Sequence, residues 1–115
     1  MMLQIEHRDA EPGAAVVSLT GKVMLGQESA KIEALVRQLV SGGRLNVVMD
    51  LAGVTHIDST GIGRFIACLS QVRRAGGKLR MAAAGGQVRE AFRVTRLDTV
   101  FQFDPDVESA LKNFA

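Results

Sequence analysis

The sequence is poor in the residues that build disulfides, metal centres and aromatic nucleic-acid surfaces. Its 115 residues include one cysteine, two histidines and no tryptophan or tyrosine. A single cysteine cannot form an internal disulfide, and no His, Cys and acidic residues recur at metal-ligand spacing. Single-stranded nucleic-acid sites rely on stacking aromatics, and the formal net charge is only +2. We therefore expect no metal, no cofactor and no direct nucleic-acid binding.

Long apolar runs and proline are also scarce. No stretch approaches the roughly 18 consecutive apolar residues that a membrane-spanning helix needs. The first residues show no basic start followed by an apolar run, as a secretory signal would have. The sequence thus predicts no membrane insertion and a cytoplasmic location. Two prolines and a hydrophobic content of 47% favour one folded domain over residues 1–115.

Catalytic groups are few. His7 and His56 are the only histidines, and neither belongs to a spaced cluster with acids and a nucleophile. Cys68 lies within an apolar helical repeat, which favours a packing role over a nucleophilic one. Ser59 lacks the G-x-S-x-G context of a hydrolase nucleophile, and no glycine-rich loop for nucleoside triphosphates occurs. The sequence predicts that the protein is not an enzyme.

Apolar periodicity alternates between strand and helix patterns along the chain. The predicted strands cover residues 3–7, 15–19, 45–51, 79–83 and 101–103. The predicted helices cover residues 32–40, 62–72, 88–94 and 107–114. Turn-forming residues 9–13 make the first two strands a hairpin, and the third strand is apolar enough to be covered on both faces. This ββαβαβαβα order predicts an α/β domain with a mixed, mostly parallel sheet of four to five strands and helices packed against it.

Residues 47–63 lead from an apolar strand into a helix whose entrance carries a serine. The strand ends at Leu51 in this prediction, a short loop follows, and helical periodicity begins near Ile62. Ser59 or Asp58 then lies where the first helical amides lack intrahelical partners. An ordinary N-cap explains such a residue, and the same amides and helix dipole would also favour a phosphate on Ser59. Two glycines after this position predict an open, approachable backbone.

This segment, VVMDLAGVTHIDSTGIG, closely resembles the signature of STAS domains, specifically the bacterial anti-sigma factor antagonists. Residues 76–79 and 88–101 resemble later elements of the same family, so the resemblance covers nearly the whole chain. It implies that Ser59 accepts phosphate from an anti-sigma factor that is itself a serine kinase. It also implies that the unphosphorylated form binds this kinase and frees a sigma factor, and that a phosphoserine phosphatase reverses the modification.

The predicted partner surface surrounds the phosphoacceptor. About two added negative charges at Ser59 would repel acidic groups of a bound partner. One departure from the family pattern is a methionine, Met24, where an acidic residue often follows the second strand. An exposed methionine can contact a partner, although one that fills the core also fits this passage. The predicted partner-binding residues are Met24, Asp58, Thr60, Gly61 and Ile62.

Two other functions stay open. The same fold can be a STAS subunit of a larger assembly, such as a stress-signalling complex or a lipid-transport ATPase. Alternatively, a receiver-type domain would take phosphate on a carboxylate, with Asp50 at a strand end as the acceptor. Such chemistry needs an acidic pair that holds Mg²⁺ after the first strand, and residues 3–19 offer none at a strand end.

Overall fold

Within the described residues, five strands and four helices follow one another in the predicted order. The computed structural model describes residues 3–11 and 13–114. The strands are β1 (Gln4–Ala10), β2 (Ala14–Val23), β3 (Asn46–Ile57), β4 (Lys78–Ala82) and β5 (Gln102–Asp104). The helices are α1 (Gln27–Ser41), α2 (Ser59–Arg74), α3 (Gly86–Val94) and α4 (Val107–Lys112). The predicted hairpin turn falls between β1 and β2, where Pro12 lies outside the described residues.

The strands form one mixed sheet in the order β1-β2-β3-β4-β5. β1 pairs antiparallel with β2, and the other neighbours are parallel. Parallel strands joined through a helix make right-handed crossovers, so α1, α2 and α3 lie on the same face of the sheet. β3 is the central strand, and its residues Val47, Val48 and Met49 are fully buried. The predicted α/β class and mostly parallel sheet are confirmed.

The larger core lies between the sheet and α1 to α3. Phe92 stands at its centre, with its ring edge-on to Phe101 at 5.2 Å between centroids. Cys68 is fully buried in this core, and burial raises the pKa of its thiol to about 12, so its predicted packing role is confirmed. Among the described residues, no helix has both the length and the apolar character needed to cross a membrane.

α4 covers part of the opposite face of the sheet. Its Ala110 packs with Val16, Val48 and Ala82, one residue from each of the three central strands. The end of α4 is held by a buried aspartate, Asp104, whose Oδ1 accepts a hydrogen bond from Asn113 Nδ2 at 2.6 Å. This helix therefore fixes the chain end against β3, β4 and β5.

β3 continues well beyond its predicted end at Leu51. It pairs with β2 as far as Ile57, where the prediction placed a loop. The pairing has two register shifts, one opposite Ser18 to Thr20 and one opposite Gly21 to Lys22, and at each of them β3 contains one extra residue. Such bulges break the alternation of inward and outward side chains by which a strand is recognised. As a result, α2 starts directly where a long central strand ends.

Candidate functional site

Asp58 is the N-cap of α2. Its backbone is extended, with φ −115° and ψ −176°, and its Oδ1 accepts a hydrogen bond from the Gly61 amide at 2.8 Å. The Ile62 amide donates to the Asp58 carbonyl at 3.0 Å, which closes the first helical turn. The sequence left Asp58 and Ser59 as alternatives for the cap, and the structure assigns it to Asp58.

The second carboxylate oxygen of Asp58 joins α2 to a distant loop. Oδ2 accepts a hydrogen bond from the Leu25 amide at 2.9 Å, across 33 positions in the sequence. Leu25 belongs to residues 24–26, which connect β2 with α1. The Asp58 amide also donates to the Val23 carbonyl at 3.4 Å. One side chain thus fixes the helix entrance and the adjacent loop relative to each other.

Hydrogen bonding keeps the Asp58 carboxylate charged. Burial by itself would raise the pKa of Asp58, but amide donors from Gly61, Leu25 and Thr60 outweigh it and hold the pKa below its ordinary value. The helix dipole favours the same negative charge at this end. A permanent anion therefore lies next to Ser59 at neutral pH.

Ser59 is the first residue of α2, and its side chain is exposed. Because Asp58 supplies the cap, the Ser59 hydroxyl is not engaged with the first-turn amides in the described part of the chain. Thr60, the next residue, is only partly exposed. The Ser59 hydroxyl is thus an exposed group at the start of α2.

Gly61 and Ile62 lie inside the fold. A Cβ on Gly61 would stand 2.0 Å from the Val23 carbonyl oxygen, so a side chain there is excluded by the backbone of β2. Ile62 is 6% exposed and belongs to the main core. The predicted open backbone at Gly61 is wrong, because this glycine permits helix and strand to approach. Because both residues are buried, Gly61 and Ile62 do not belong to the protein surface that a partner could contact. Gly63, by contrast, is open to solvent.

Exposed apolar side chains occur in the loop bound to Asp58 and on the face of α2 that carries Ser59. Met24 is 37% exposed, Leu25 80% and Ile66 43%. Ile66 follows Ser59 by seven residues, so both lie on the same face of α2. We refer to Met24, Leu25, Ser59 and Ile66 as the α2-entrance surface. A depression of ≈ 300 Å³ borders it and is lined by Leu3, Lys22, Met24, Leu25, Glu28, Ser29 and Asp58.

Leu25 and Ile66 were not among the predicted site residues. The helical periodicity of α2 placed Ile66 with the buried residues Phe65 and Leu69, since it follows Ile62 by one turn. Its spacing of seven residues from Ser59 is the signal that would have assigned it to the exposed face. For Leu25 the only signal was its position beside Met24, before a glycine that ends the β2–α1 connection.

Asp50 lies within β3, not at a strand end as the receiver-type interpretation required. Its Oδ1 accepts a hydrogen bond from the Ala52 amide at 3.1 Å, and its Oδ2 accepts one from the Ser18 hydroxyl at 3.3 Å. Within residues 3–11 and 13–114, no group of three or more His, Cys, Asp or Glu side chains could hold a metal ion. The predicted position of Asp50 is therefore wrong, because β3 continues to Ile57.

Comparison with known proteins gives one family and a set of similar folds. The model of the STAS domain matches residues 7–110. An anti-sigma factor antagonist from Mycobacterium paratuberculosis is 24% identical, with a TM-score of 0.81 over 97% of this chain and 93% of that one. The Bacillus cell fate determinant SpoIIAA in its phosphorylated form is 14% identical, with a TM-score of 0.76 over 97% of this chain and all of that one (100%).

A protein of another kind has the same fold. A sulfate transporter family protein from Wolinella succinogenes is 13% identical, with a TM-score of 0.69 over 92% of this chain and 88% of that one. At such identities these likenesses establish a shared fold along nearly the whole chain. They leave the choice among functions to the chemistry of the site.

Proposed function

The chain belongs to the STAS domain family, and on that premise we propose that it is an anti-sigma factor antagonist controlled by phosphorylation of Ser59. The unphosphorylated protein binds a kinase-type anti-sigma factor and so frees a sigma factor. The kinase phosphorylates Ser59 and the complex separates, and a phosphoserine phosphatase restores the binding form. In this role the protein is cytoplasmic and acts through a protein interface, without catalysis of its own.

The observation that carries this proposal is the division of roles between Asp58 and Ser59. Asp58 caps α2 through Oδ1, and the exposed Ser59 hydroxyl takes no part in the cap. Phosphorylation can therefore change the charge of the helix entrance without removing a hydrogen bond on which the helix depends. The positive end of the helix dipole lowers the cost of the added negative charge.

The α2-entrance surface offers a physical reason why the added charge would end a complex. Met24, Leu25 and Ile66 expose apolar area that a partner would cover. Ser59 follows Asp58, which binds the Leu25 amide, and shares a helix face with Ile66, so a partner that covers both would remove water from its side chain. A phosphate of about −1.5 to −2 charge resists that desolvation. The Asp58 carboxylate, held ionised beside it, adds to the repulsion of acidic partner groups.

Identification of the modified residue is the first test. The protein is incubated with ATP and with kinase-type anti-sigma factors encoded near it, and phosphate is located by mass spectrometry. We expect phosphate on Ser59 and none on the Ser59→Ala variant. Phosphate on another residue, with Ser59 unmodified, would refute the site.

Calorimetry of partner binding is the second test. Ser59→Ala should bind as the wild type does, and Ser59→Asp should bind about 10-fold more weakly or worse, a change of about 1.4 kcal/mol. Ser41→Asp is the matched control: Ser41 is an exposed serine at the end of α1, before the start of β3, whereas Ser59 follows the end of β3. Equal loss of affinity in both aspartate variants would show that net charge matters and the position of Ser59 does not.

A second candidate is a STAS subunit that serves as a structural part of a larger assembly. The fold likeness to the sulfate transporter family protein supports it. Reconstitution with an anti-sigma factor and its sigma factor distinguishes the two. An antagonist displaces the sigma factor in proportion to its concentration, whereas a structural subunit leaves that complex intact.

A further inference from the structure

The two edges of the sheet differ in length. β5 has three residues, which limits what can pair with it. β1 has seven residues in unbroken antiparallel register with β2, and its sequence QIEHRDA contains no proline. In the sheet of the described residues, no strand lies on the outer side of β1. A regular edge of this length can accept another strand.

The two residues next to the central residue of β1 carry opposite charges. Glu6 and Arg8 flank His7, and all three side chains are exposed. We propose that β1 pairs antiparallel with β1 of a second copy of this chain, with His7 opposite His7 across a two-fold axis. The two sheets then continue into one another through an isologous contact. This proposal does not depend on the role of Ser59.

The register follows from symmetry and charge. When the two-fold axis passes through His7, Glu6 of each copy lies opposite Arg8 of the other copy. The contact thus contains two cross-strand pairs of opposite charge, each of which is favourable. Ile5 then faces Asp9, and Gln4 faces Ala10.

The adjacent symmetric registers are disfavoured. Residues that lie opposite each other in an antiparallel pair point to the same face of the sheet. The two-fold axis must therefore lie midway between one residue and its own copy, not between two successive residues. An axis through Glu6 would place two glutamates opposite each other, and an axis through Arg8 would place two arginines opposite each other. Charges on an edge strand usually prevent pairing. Here they oppose the shifted registers and favour the one centred on His7.

Glu6 and Arg8 are free to make these pairs. They lie on the face of the sheet that α4 partly covers, opposite Ser18 and Val16 of β2. Neither takes part in an ion pair within the described part of the chain, whereas Asp9 is bound to Arg44 at 2.7 Å. The surface above them is open, with a depression of ≈ 260 Å³ lined by Glu6, His7, Arg8 and Ser18.

The expected dimer is weak. Pairing of two seven-residue strands buries less surface than a stable interface does. We expect a dissociation constant between about 10 μM and 1 mM. Sedimentation equilibrium from about 10 μM to 1 mM protein covers this range. A monomer at every concentration would overturn the proposal.

Charge reversal tests the register. Glu6→Arg places two arginines opposite each other at both contacts, and Arg8→Glu does the same with glutamates. Each variant alone should dimerise at least about 10-fold more weakly than the wild type. An equimolar mixture of the two should recover dimerisation, since every contact again pairs opposite charges. Glu90→Arg on α3, with the same change in charge far from β1, should behave as the wild type does.

Two outcomes of this experiment contradict the proposal. One is a mixture that remains as monomeric as its components. The other is dimerisation of Glu6→Arg and Arg8→Glu to the same extent as the wild type. Circular dichroism and urea unfolding of each variant establish that it is folded, which is expected because both side chains are exposed at an edge.

Disulfide formation tests the same register independently. In the proposed pairing only residue 7 meets its own copy, with Cα atoms about 4.5–5.5 Å apart, within the range for a disulfide. His7→Cys should therefore form a cross-linked dimer on mild oxidation. Glu6→Cys should form at least about 10-fold less, because its copies lie two positions out of register. Cys68 is buried and does not compete. Equal cross-linking of both variants would contradict the register.

Discussion

Helices α2 and α4 are both capped by an aspartate whose carboxylate accepts a hydrogen bond from the backbone amide three residues further on. The distance is 2.8 Å from Gly61 to Asp58 and 2.7 Å from Ser109 to Asp106. Both aspartates have extended backbones, and both have a pKa below the ordinary value because amide donors stabilise the charged form. The capping chemistry of the two entrances is the same.

The surroundings of the two caps differ. Asp58 also binds the Leu25 amide of a distant loop, and exposed apolar side chains lie around it. The residue after Asp58 is an exposed serine, whereas the residue after Asp106 is Val107, which packs against the sheet. The exposed turn of α4 carries an ordinary ion pair between Lys112 and Glu108. A cap alone therefore indicates a helix start, and the loop and apolar surface make the α2 entrance a candidate interface.

The largest effect should come from Gly61, where α2 approaches β2. Gly61→Ala places a Cβ against the Val23 carbonyl oxygen, 2.0 Å away, so strand and helix must separate. We expect unfolding free energy to fall by about 3 kcal/mol in urea denaturation. Gly63→Ala is the control on the same helix, with no atom within 4 Å of the added methyl group. It should stabilise by about 0.5–1 kcal/mol, and similar results for both would contradict the close approach.

Removal of the Asp58 cap should lower the unfolding free energy more than removal of the Asp106 cap does, because Asp58 makes a second contact. Asp58→Ala breaks the bond to Gly61 and the bond to Leu25, and we expect a loss of about 2 kcal/mol. Asp106→Ala breaks only a local cap on a helix of six residues, so its loss should be smaller. Urea unfolding of both variants measures the difference. Equal losses would mean that the bond to Leu25 contributes nothing to stability.

The stabilisation by the Asp58 carboxylate should depend on pH. A carboxylate with a lowered pKa in the folded state stabilises fully above the unfolded value of about 3.9. That contribution declines as the pH falls from the unfolded pKa and is lost below the lower folded pKa, because the unfolded state takes up the proton more readily than the folded state does. The difference in unfolding free energy between the wild type and Asp58→Asn should therefore be larger at pH 7 than near pH 3. A difference that stays constant with pH would contradict a charge-dependent cap.

Fold class and element order were accessible from sequence because they depend on local periodicity. The length of β3 and the burial of Gly61 were harder to predict, because both depend on contacts with β2, which is distant in the sequence. Register shifts in the β2–β3 pairing concealed the second half of β3, and the Val23 carbonyl is what requires glycine at position 61. The bond between Asp58 and the Leu25 amide joins residues 33 positions apart, and no local pattern predicts it. The position of Ser59 at a helix start was predictable, because polar residues at helix starts leave a local signal.

The smallest effect on stability should come from Ser59 itself. It lies at the first position of α2 with an exposed side chain, and the cap comes from Asp58. We expect Ser59→Ala to change the unfolding free energy by no more than about 0.5 kcal/mol, as at other exposed sites. Urea unfolding at neutral pH measures this, with Asp58→Ala as the comparison. A loss as large as that of Asp58→Ala would mean that the hydroxyl supports the helix, and phosphorylation would then disturb the fold as well as the partner surface.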